Sequence, residues 1–333
     1  MAEPDARGPV IEAVRAGGLL GADRPVVAML SGGRDSVCLL DVAVALCEPG
    51  DVSALHVNYG LRERAGADER HCRELCERLG VSLHVVHESE ASRPRGPGGE
   101  PAGNMHAWAR DARYGAAARL AEERDALIAT GHTASDQVET ILYRLAASPG
   151  RRALLGMVAA DGRLIRPLLA VSREQTAAYC RAAGLAWRED ESNDDEKYAR
   201  ARVRNGLLPA LRAAHPGAES NVLRTAMLLR EETALMDGLV ESELSGRREI
   251  ALERLRELPR ALARLIVIHL AEAAAETYVP QAGDRVEELL ALARRGGRAE
   301  LHVGGRAGAV IEHGVLSMVR LPARASRLPP PTD

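Results

Sequence analysis

The segment PVVAMLSGGRDS, residues 25–36, sets the architecture of this chain because an apolar run enters a glycine turn. The apolar residues predict a buried strand, and residues 35–46 predict the helix that follows it. Two glycines let the backbone turn tightly, so that its N–H groups can approach an anion. The N-terminus of the helix adds about half a positive charge. Residues 31–36, which we name the phosphate loop, are therefore typical of a site that binds phosphate groups.

The phosphate loop differs from the two most familiar nucleotide-binding loops. A Walker P-loop requires a lysine, which is absent here, and the glycines do not follow the GxGxxG pattern. An acidic residue in an anion-binding loop needs a cation between itself and the phosphates, so Asp35 predicts Mg²⁺. The alternative is a simple turn from strand to helix in which Asp35 lies near the N-cap.

Strands and helices alternate on both sides of this loop, up to about residue 215. The predicted strands are 52–58, 81–86 and 126–130, and the predicted helices are 68–79, 105–123, 135–147, 172–184 and 199–214. This alternation indicates an α/β fold with a doubly wound parallel sheet, in which ligands bind beyond the carboxyl ends of the strands.

The alternation stops after residue 215, where helices at 218–243, 259–276 and 283–294 precede the short β segments AELHV, GAVIEH and VLSMVR. We predict a catalytic domain over residues 1–215 and a smaller helical or α+β domain over residues 216–322. Residues 323–333 are expected to form a frayed tail. The Pro/Gly-rich stretch within residues 88–103 predicts a mobile loop, either a substrate lid or a disordered insertion.

Composition bounds the class of protein. The chain has 333 residues, 46% of them hydrophobic and 27% charged, which excludes collagen-like and wholly disordered chains. No apolar stretch reaches the roughly 20 residues that cross a membrane, and the N-terminus has no secretory pattern. Five scattered cysteines without a Cys-x-x-Cys pair favour the reducing cytoplasm. A net charge of −3 gives no overall indication of a nucleic-acid partner.

A second group of polar residues follows the strand predicted at 126–130. His132, Asp136 and Glu139 lie between its end and the first turn of the next helix, and the two acids share one helix face. Two carboxylates opposite a phosphate loop could hold Mg²⁺ or accept a proton from an attacking amine. The alternative is a helix-capping cluster of solvated acids.

Five segments together resemble known enzymes. SGGRDS is similar to the SGGxDS pyrophosphate loop of the N-type ATP pyrophosphatase superfamily, whose members adenylate a substrate and share an adenine nucleotide alpha hydrolase-like fold. Four others resemble the tRNA(Ile)-lysidine synthetase family: HVNYGLR (56–62), NMHAWARDARY (104–114), GHTASDQVET (131–140) and the run from Trp187 to Arg204.

The resemblance implies a cytoplasmic ligase that uses ATP and Mg²⁺. The enzyme would adenylate C2 of the wobble cytidine in the CAU anticodon of tRNA(Ile), and free L-lysine would then displace AMP. The implied ATP-binding residues are Ser31, Gly32, Gly33, Arg34, Asp35, Ser36 and His56. The implied catalytic residues are Asp35, His132, Asp136 and Glu139, with Asp35 and Asp136 holding the metal. The implied tRNA contacts are Arg110, Arg113, Arg200, Arg202 and Arg204. A homodimer is left open, and no membrane partner is expected.

Several positions depart from the family pattern, and two rival functions stay open. Tyr59, His106 and Ser135 stand where the family has His, Glu and Asp, and Ala201 replaces the usual Asn. The loss of the two acids at positions 106 and 135 predicts altered handling of Mg²⁺ or an altered amine-accepting pocket, in a weakened or retargeted enzyme. Asp35, Asp136 and Glu139 remain, so activity is expected. The rivals are a tRNA thiolase of the same superfamily and a catalytically silent RNA-binding homologue. Thiolases usually use a reactive cysteine or a Cys-x-x-Cys cluster, so the absence of such a pair favours an amine nucleophile.

Overall fold

The computed structural model describes residues 6–60, 65–94, 104–147, 150–188, 199–294 and 297–322. The chain separates into two compact units, which divide between Ala226 and Met227. The boundary predicted at residue 215 lies just before the helix in which this division falls. Part of the predicted mobile loop, residues 95–103, and the whole predicted tail lie outside the described residues.

The first unit alternates helices and strands. Its elements are α1 (Arg7–Ala16), β1 (Val26–Met29), α2 (Arg34–Leu46), β2 (Val52–Asn58), α3 (Ala65–Leu79), β3 (Ser82–His87), α4 (Met105–Glu123), β4 (Leu127–Ala129), α5 (Ala134–Ala147), β5 (Ala160–Asp161), β6 (Leu164–Ile165), α6 (Arg173–Ala182), α7 (Ala199–Arg202), a π-helical turn (Val203–Leu207), α8 (Leu208–Ala214) and the start of α9 (Ala218–Leu244). The helices and strands that the sequence predicts over this region are confirmed within a few residues. Helix α1 and the short strands β5 and β6 were not predicted.

The strands of this unit form one sheet in the order β3-β2-β1-β4-β6-β5. Strand β1 pairs in parallel with β2 on one side and with β4 on the other, and only β5 runs antiparallel. The strand order therefore reverses between β1 and β4. In open α/β sheets ligands bind at such a switch point, beyond the carboxyl ends of the strands. The phosphate loop follows β1, and His132 follows β4.

Helices cover both faces of this sheet. Val26 and Ala28 of β1 belong to a core that includes Tyr179 of α6, whereas Val27 and Met29 face a second core that includes Leu120 of α4. Successive residues of a strand point to opposite faces, so β1 is buried on both. The predicted doubly wound arrangement is confirmed.

The second unit combines helices with an antiparallel sheet. After α9 it contains β7 (Glu249–Ala251), α10 (Leu252–Glu257), α11 (Arg260–Ala275), α12 (Val286–Ala293), β8 (Ala299–Gly304), β9 (Ala307–Glu312) and β10 (Val315–Arg320). The sheet order is β7-β10-β9-β8, so the three predicted tail strands gain a fourth from between the helices. In the described parts of both units, no helix is long and apolar enough to cross a membrane.

Candidate active site

The phosphate loop is held by its own hydrogen bonds. The hydroxyl of Ser36 donates to the carbonyl of Gly33 (2.8 Å) and accepts from the amide of Ser31 (3.2 Å). Gly32 has a φ of +83°, a conformation that favours glycine. Helix α2 begins at Arg34, so the amides of Arg34 and Asp35 have no preceding helical carbonyl to bond. The loop therefore presents backbone donors at the positive end of a helix dipole.

Neighbouring segments pack closely against this loop. The amide of Arg188 donates to the carbonyl of Gly32 (3.0 Å), and a Cβ at Gly32 would lie 3.3 Å from the sulfur of Cys72. A Cβ at Gly131 would lie 3.0 Å from the carbonyl carbon and oxygen of Asp35. The connection from β4 to α5 thus lies against the first turn of α2, with little room for a side chain at Gly131.

Residues of the HVNYGLR segment, at the end of β2, contact Leu30, directly before the phosphate loop, and the neighbouring helix α4. His56 is only 5% exposed, and its Nδ1 donates to the carbonyl of Leu30 at 2.9 Å. Tyr59 donates to the carbonyl of Ala109 (2.6 Å), and its ring meets Trp108 edge-on at 5.8 Å. Burial raises the pKa of the Tyr59 hydroxyl. The tyrosine that departs from the family pattern therefore joins β2 to α4.

One guanidinium joins all three predicted acids. Arg173 donates to Asp136 at 2.7 Å and to Glu139 at 2.8 Å, and its Nε lies 3.8 Å from Asp35. We name Asp35, Asp136 and Glu139 the carboxylate cluster. Arg173 is the first residue of α6 and was not among the site residues predicted from the sequence.

Asp136 is held in its ionised form. Its Oδ2 accepts from both the amide and the hydroxyl of Thr133, each at 2.8 Å. Burial favours the neutral acid, but Arg173 and these hydrogen bonds outweigh burial and lower the pKa of Asp136. Its side chain is 20% exposed, so this carboxylate is both charged and accessible.

Glu139 is enclosed by two arginines. It is 2% exposed, and its two oxygens accept from Nε and Nη2 of Arg204 at 2.8 and 3.0 Å, in addition to Arg173. The sequence-based hypothesis assigns Arg204 to tRNA, whereas the structure directs this guanidinium at Glu139. Arg204 lies in the π-helical turn Val203–Leu207, a type of turn that is frequent at functional sites.

The remaining members of the site are fixed by hydroxyl groups. Asp35 accepts from the hydroxyl of Thr176 (2.5 Å) and from Nε of Arg34 (3.1 Å). His132 places its Nδ1 2.8 Å from the hydroxyl oxygen of Thr130 at the end of β4. Thr176 and Thr133 were missed because a threonine hydroxyl carries no motif of its own.

The other predicted tRNA contacts are distributed over two helices. Arg110 and Arg113 are exposed on α4, with their guanidinium carbons 4.6 and 5.8 Å from the centre of the Tyr114 ring. Arg202 is exposed at the end of α7. The side chains of Arg200 and His106 lie outside what the structure describes, as do residues 189–198.

The donor set at the carboxylate cluster fits Mg²⁺ only as a pair of ligands. The described residues include no group of three His, Cys, Asp or Glu side chains arranged to hold a metal. Asp35 and Asp136 both contact the same guanidinium, so their oxygens converge. Mg²⁺ at nucleotide sites commonly takes one or two carboxylates plus substrate phosphates. The pair therefore suits a metal that arrives with a nucleotide.

Comparison with known proteins assigns the chain to a family. Residues 13–211 match the PP-loop domain family. A tRNA(Ile)-lysidine synthase from Chromobacterium violaceum is 41% identical over 227 residues, covering 65% of this chain and 49% of that protein. One from Salinispora arenicola is 39% identical over 233 residues, covering 67% of each chain. One from Pseudomonas fluorescens is 37% identical, and the chain spans about half its length, covering 48% of it.

A solved structure supports the same fold. The U34-tRNA thiolase from Methanococcus maripaludis with its 4Fe-4S cluster matches 67% of this chain and 78% of its own, with a TM-score of 0.54. At 17% sequence identity this likeness shows the fold alone. The predicted adenine nucleotide alpha hydrolase-like fold is thus confirmed, and the chain belongs to the PP-loop domain family and, within it, to the family of tRNA(Ile)-lysidine synthases.

Proposed function

We propose that this protein is a tRNA(Ile)-lysidine synthase. In this reaction ATP adenylates C2 of the wobble cytidine in the CAU anticodon, and free L-lysine then forms lysidine with release of AMP. The observation that carries the proposal is the carboxylate cluster at the switch point of the sheet, beside a loop built to bind phosphate. This arrangement supplies an anion site and a cation site in direct contact, as a reaction between a nucleotide and an ammonium group requires.

The first step takes place at the phosphate loop. The amides at the start of α2 and the exposed hydroxyl of Ser31 bind the pyrophosphate of ATP. Asp35 and Asp136 would hold Mg²⁺, which when bound neutralises charge on the phosphates. The O2 oxygen of cytidine bonds to the α-phosphorus, the bond between the α- and β-phosphates breaks, and pyrophosphate leaves with the electron pair.

The second step needs a carboxylate that attracts the ammonium group of lysine and accepts a proton from it. A lysine ammonium has an ordinary pKa of about 10.4, so it arrives charged and must lose protons as its nitrogen bonds to C2. Asp136 is ionised and partly exposed, so we assign it to attract the ammonium and accept one proton, and the second proton passes to water. The C2–O bond then breaks and AMP leaves. Glu139 is too enclosed to meet the amine, and we assign it to hold Arg173 and Arg204. His132, fixed by Thr130, orients the reacting groups.

The partner is a transfer RNA. Arg110, Arg113, Arg200 and Arg202 are proposed tRNA contacts, because guanidinium groups bind phosphates and stack on bases. The small C-terminal domain, residues 216–322, is proposed to hold the body of the tRNA. Five cysteines, all unpaired, suit the reducing cytoplasm.

The cysteines argue against the thiolase alternative. Four of the five are buried, and Cys47 is half-buried. Burial raises the pKa of Cys72 to about 12 and that of Cys76 to about 11. Sulfur transfer requires a thiolate, and these groups stay protonated at neutral pH. We therefore favour an amine as the nucleophile.

The test is incorporation of radiolabelled lysine into a tRNA(Ile) transcript with a CAU anticodon. We expect label that depends on ATP and is absent from a transcript with a GAU anticodon. ATP–pyrophosphate exchange with the same tRNA measures adenylation separately. Exchange without lysine label would contradict the choice of substrate, and tRNA binding without exchange would favour a catalytically silent homologue.

A further inference from the structure

Arg173 contacts every member of the carboxylate cluster, yet the three acids depend on it to different degrees. Asp35 also accepts from Thr176 and Arg34, and its oxygen lies 3.8 Å from Arg173. Glu139 keeps both hydrogen bonds from Arg204. Asp136 differs, because Arg173 donates to its Oδ1, whereas Thr133 donates both of its hydrogen bonds to Oδ2. Loss of Arg173 would therefore disturb Asp136 most and Asp35 least.

The backbone of Arg173 is fixed before its side chain reaches the acids. Helix α6 begins with a capping box in which Ser172 and Gln175 bond to each other's amides. The amide of Arg173 donates to the hydroxyl of Ser135 (3.3 Å), and the amide of Ala134 donates to the carbonyl of Val171 (2.8 Å). The first turns of α5 and α6 are thus bonded to each other, and the side chain of Arg173 is 22% exposed.

We propose that Arg173 is a positioning residue for the second step, the attack of lysine. It orients the carboxylate of Asp136 relative to Glu139, which anchors the other side of the guanidinium. Its contribution to adenylation is smaller, because Asp35, the proposed metal ligand in the phosphate loop, is held independently by Thr176 and Arg34. The inference rests on the proposed function. Its physical basis is the fork of the guanidinium, which donates to Asp136 and Glu139 through separate nitrogens and so fixes the spacing of the two acids.

The geometry also predicts how a lysine would replace this arginine. An ammonium keeps the charge but lacks the planar fork, so it can neutralise the acids without fixing both at once. Arg173→Lys should therefore restore part of the activity that Arg173→Met loses. Arg181→Met is the matched control, because Arg181 is exposed on the same helix and lies 5.9 Å from the Trp187 ring, away from the acids.

The experiment separates the two steps. Exchange of ATP with pyrophosphate, measured with tRNA and without lysine, reports adenylation. A lysine chase of the adenylated tRNA reports the second step and gives the KM for lysine and the maximal rate. For Arg173→Met we expect exchange within about threefold of wild type and a chase slower by about 10²-fold, the usual effect of misplacing a reacting group by about 1 Å. Arg173→Lys should fall between, and Arg181→Met should match wild type.

Three results would overturn the inference. One is an equal loss in both steps, as a general structural defect would produce. Another is a normal chase in Arg173→Met. A third is an Arg173→Lys variant no better than Arg173→Met. If Arg173→Met does not fold, as judged by its thermal melting, Arg173→Lys carries the test and must slow the chase more than the exchange. A wild-type protein that exchanges but forms no lysidine would instead refute the proposed function.

Discussion

The phosphate loop and the carboxylate cluster lie side by side but are built in opposite ways. Bonds within the loop join residues 2, 3 or 5 positions apart. The ion pairs of Asp136 and Glu139 with arginines join residues 34, 37 and 65 positions apart, whereas the hydrogen bonds from Thr133 to Asp136 are local. The loop is therefore specified by its local sequence, whereas the charge balance of the cluster exists only in the folded chain. Mutations in the loop should therefore lower the reaction rate without changing the free energy of unfolding. Mutations in the cluster should lower both.

The largest effect is expected at Asp35. Asp35→Ala removes the carboxylate of the phosphate loop, so adenylation should fall by about 10²–10³-fold, the usual loss when a group that stabilises developing charge is removed. Binding of tRNA should stay within about twofold, because Asp35 contacts other side chains of the site rather than an exposed basic surface. Pyrophosphate exchange and fluorescence anisotropy with labelled tRNA measure the two quantities.

The control for Asp35 is Asp161→Ala, which changes an exposed aspartate on β5. This variant should leave both exchange and binding unchanged. Near-normal lysidine formation by Asp35→Ala would show that adenylation does not need the carboxylate of the phosphate loop, which contradicts the prediction.

The next largest effect is expected at Glu139, where the cluster supports the fold. Glu139→Gln leaves the guanidiniums of Arg173 and Arg204 without their shared buried charge. Breaking a buried ion pair on one side typically costs about 3–5 kcal/mol in the free energy of unfolding, and we expect a loss near the lower limit because a glutamine oxygen still accepts. Urea unfolding followed by circular dichroism measures it. Glu122→Gln, on the exposed side of α4, should change stability by less than about 0.5 kcal/mol.

The same contrast explains which parts of the fold and of the site could be predicted from the sequence alone. The strand, the turn and the start of α2 follow from residues 25–36, and helical spacing alone brings Asp136 and Glu139 to one face. Arg173 could not be recognised, because it is one of 44 basic residues and its partners lie far away in sequence. The Ser172–Gln175 pattern marks where α6 begins, but no local pattern shows that this end meets α5. Strands β5, β6 and β7 have only two or three residues each, too few to show alternation.

A smaller effect is expected where the two regions touch. Gly131→Ala places a methyl group 3.0 Å from the backbone of Asp35, so either the β4–α5 connection or the first turn of α2 must shift by a few tenths of an ångström. We expect kcat/KM for ATP in the exchange reaction to fall about tenfold, in line with the sensitivity of catalysis to small displacements. Gly238→Ala, in open space on α9, should have no effect on exchange. An unchanged kcat/KM in Gly131→Ala would show that the contact between Gly131 and the backbone of Asp35 does not control the position of Asp35.

The smallest effect is expected at Ser135, the residue that replaces a family aspartate. Its hydroxyl accepts from the amide of Arg173 at 3.3 Å, a long hydrogen bond worth about 1 kcal/mol or less. Ser135→Ala should therefore slow the lysine chase by no more than about threefold, since the capping box still fixes the start of α6. Ser135→Asp keeps an acceptor at this position, and a carboxylate there faces the positive end of α6, so its chase rate should match wild type. A loss in Ser135→Ala as large as that in Arg173→Met would mean that the guanidinium is placed by this one bond rather than by the helix that carries it.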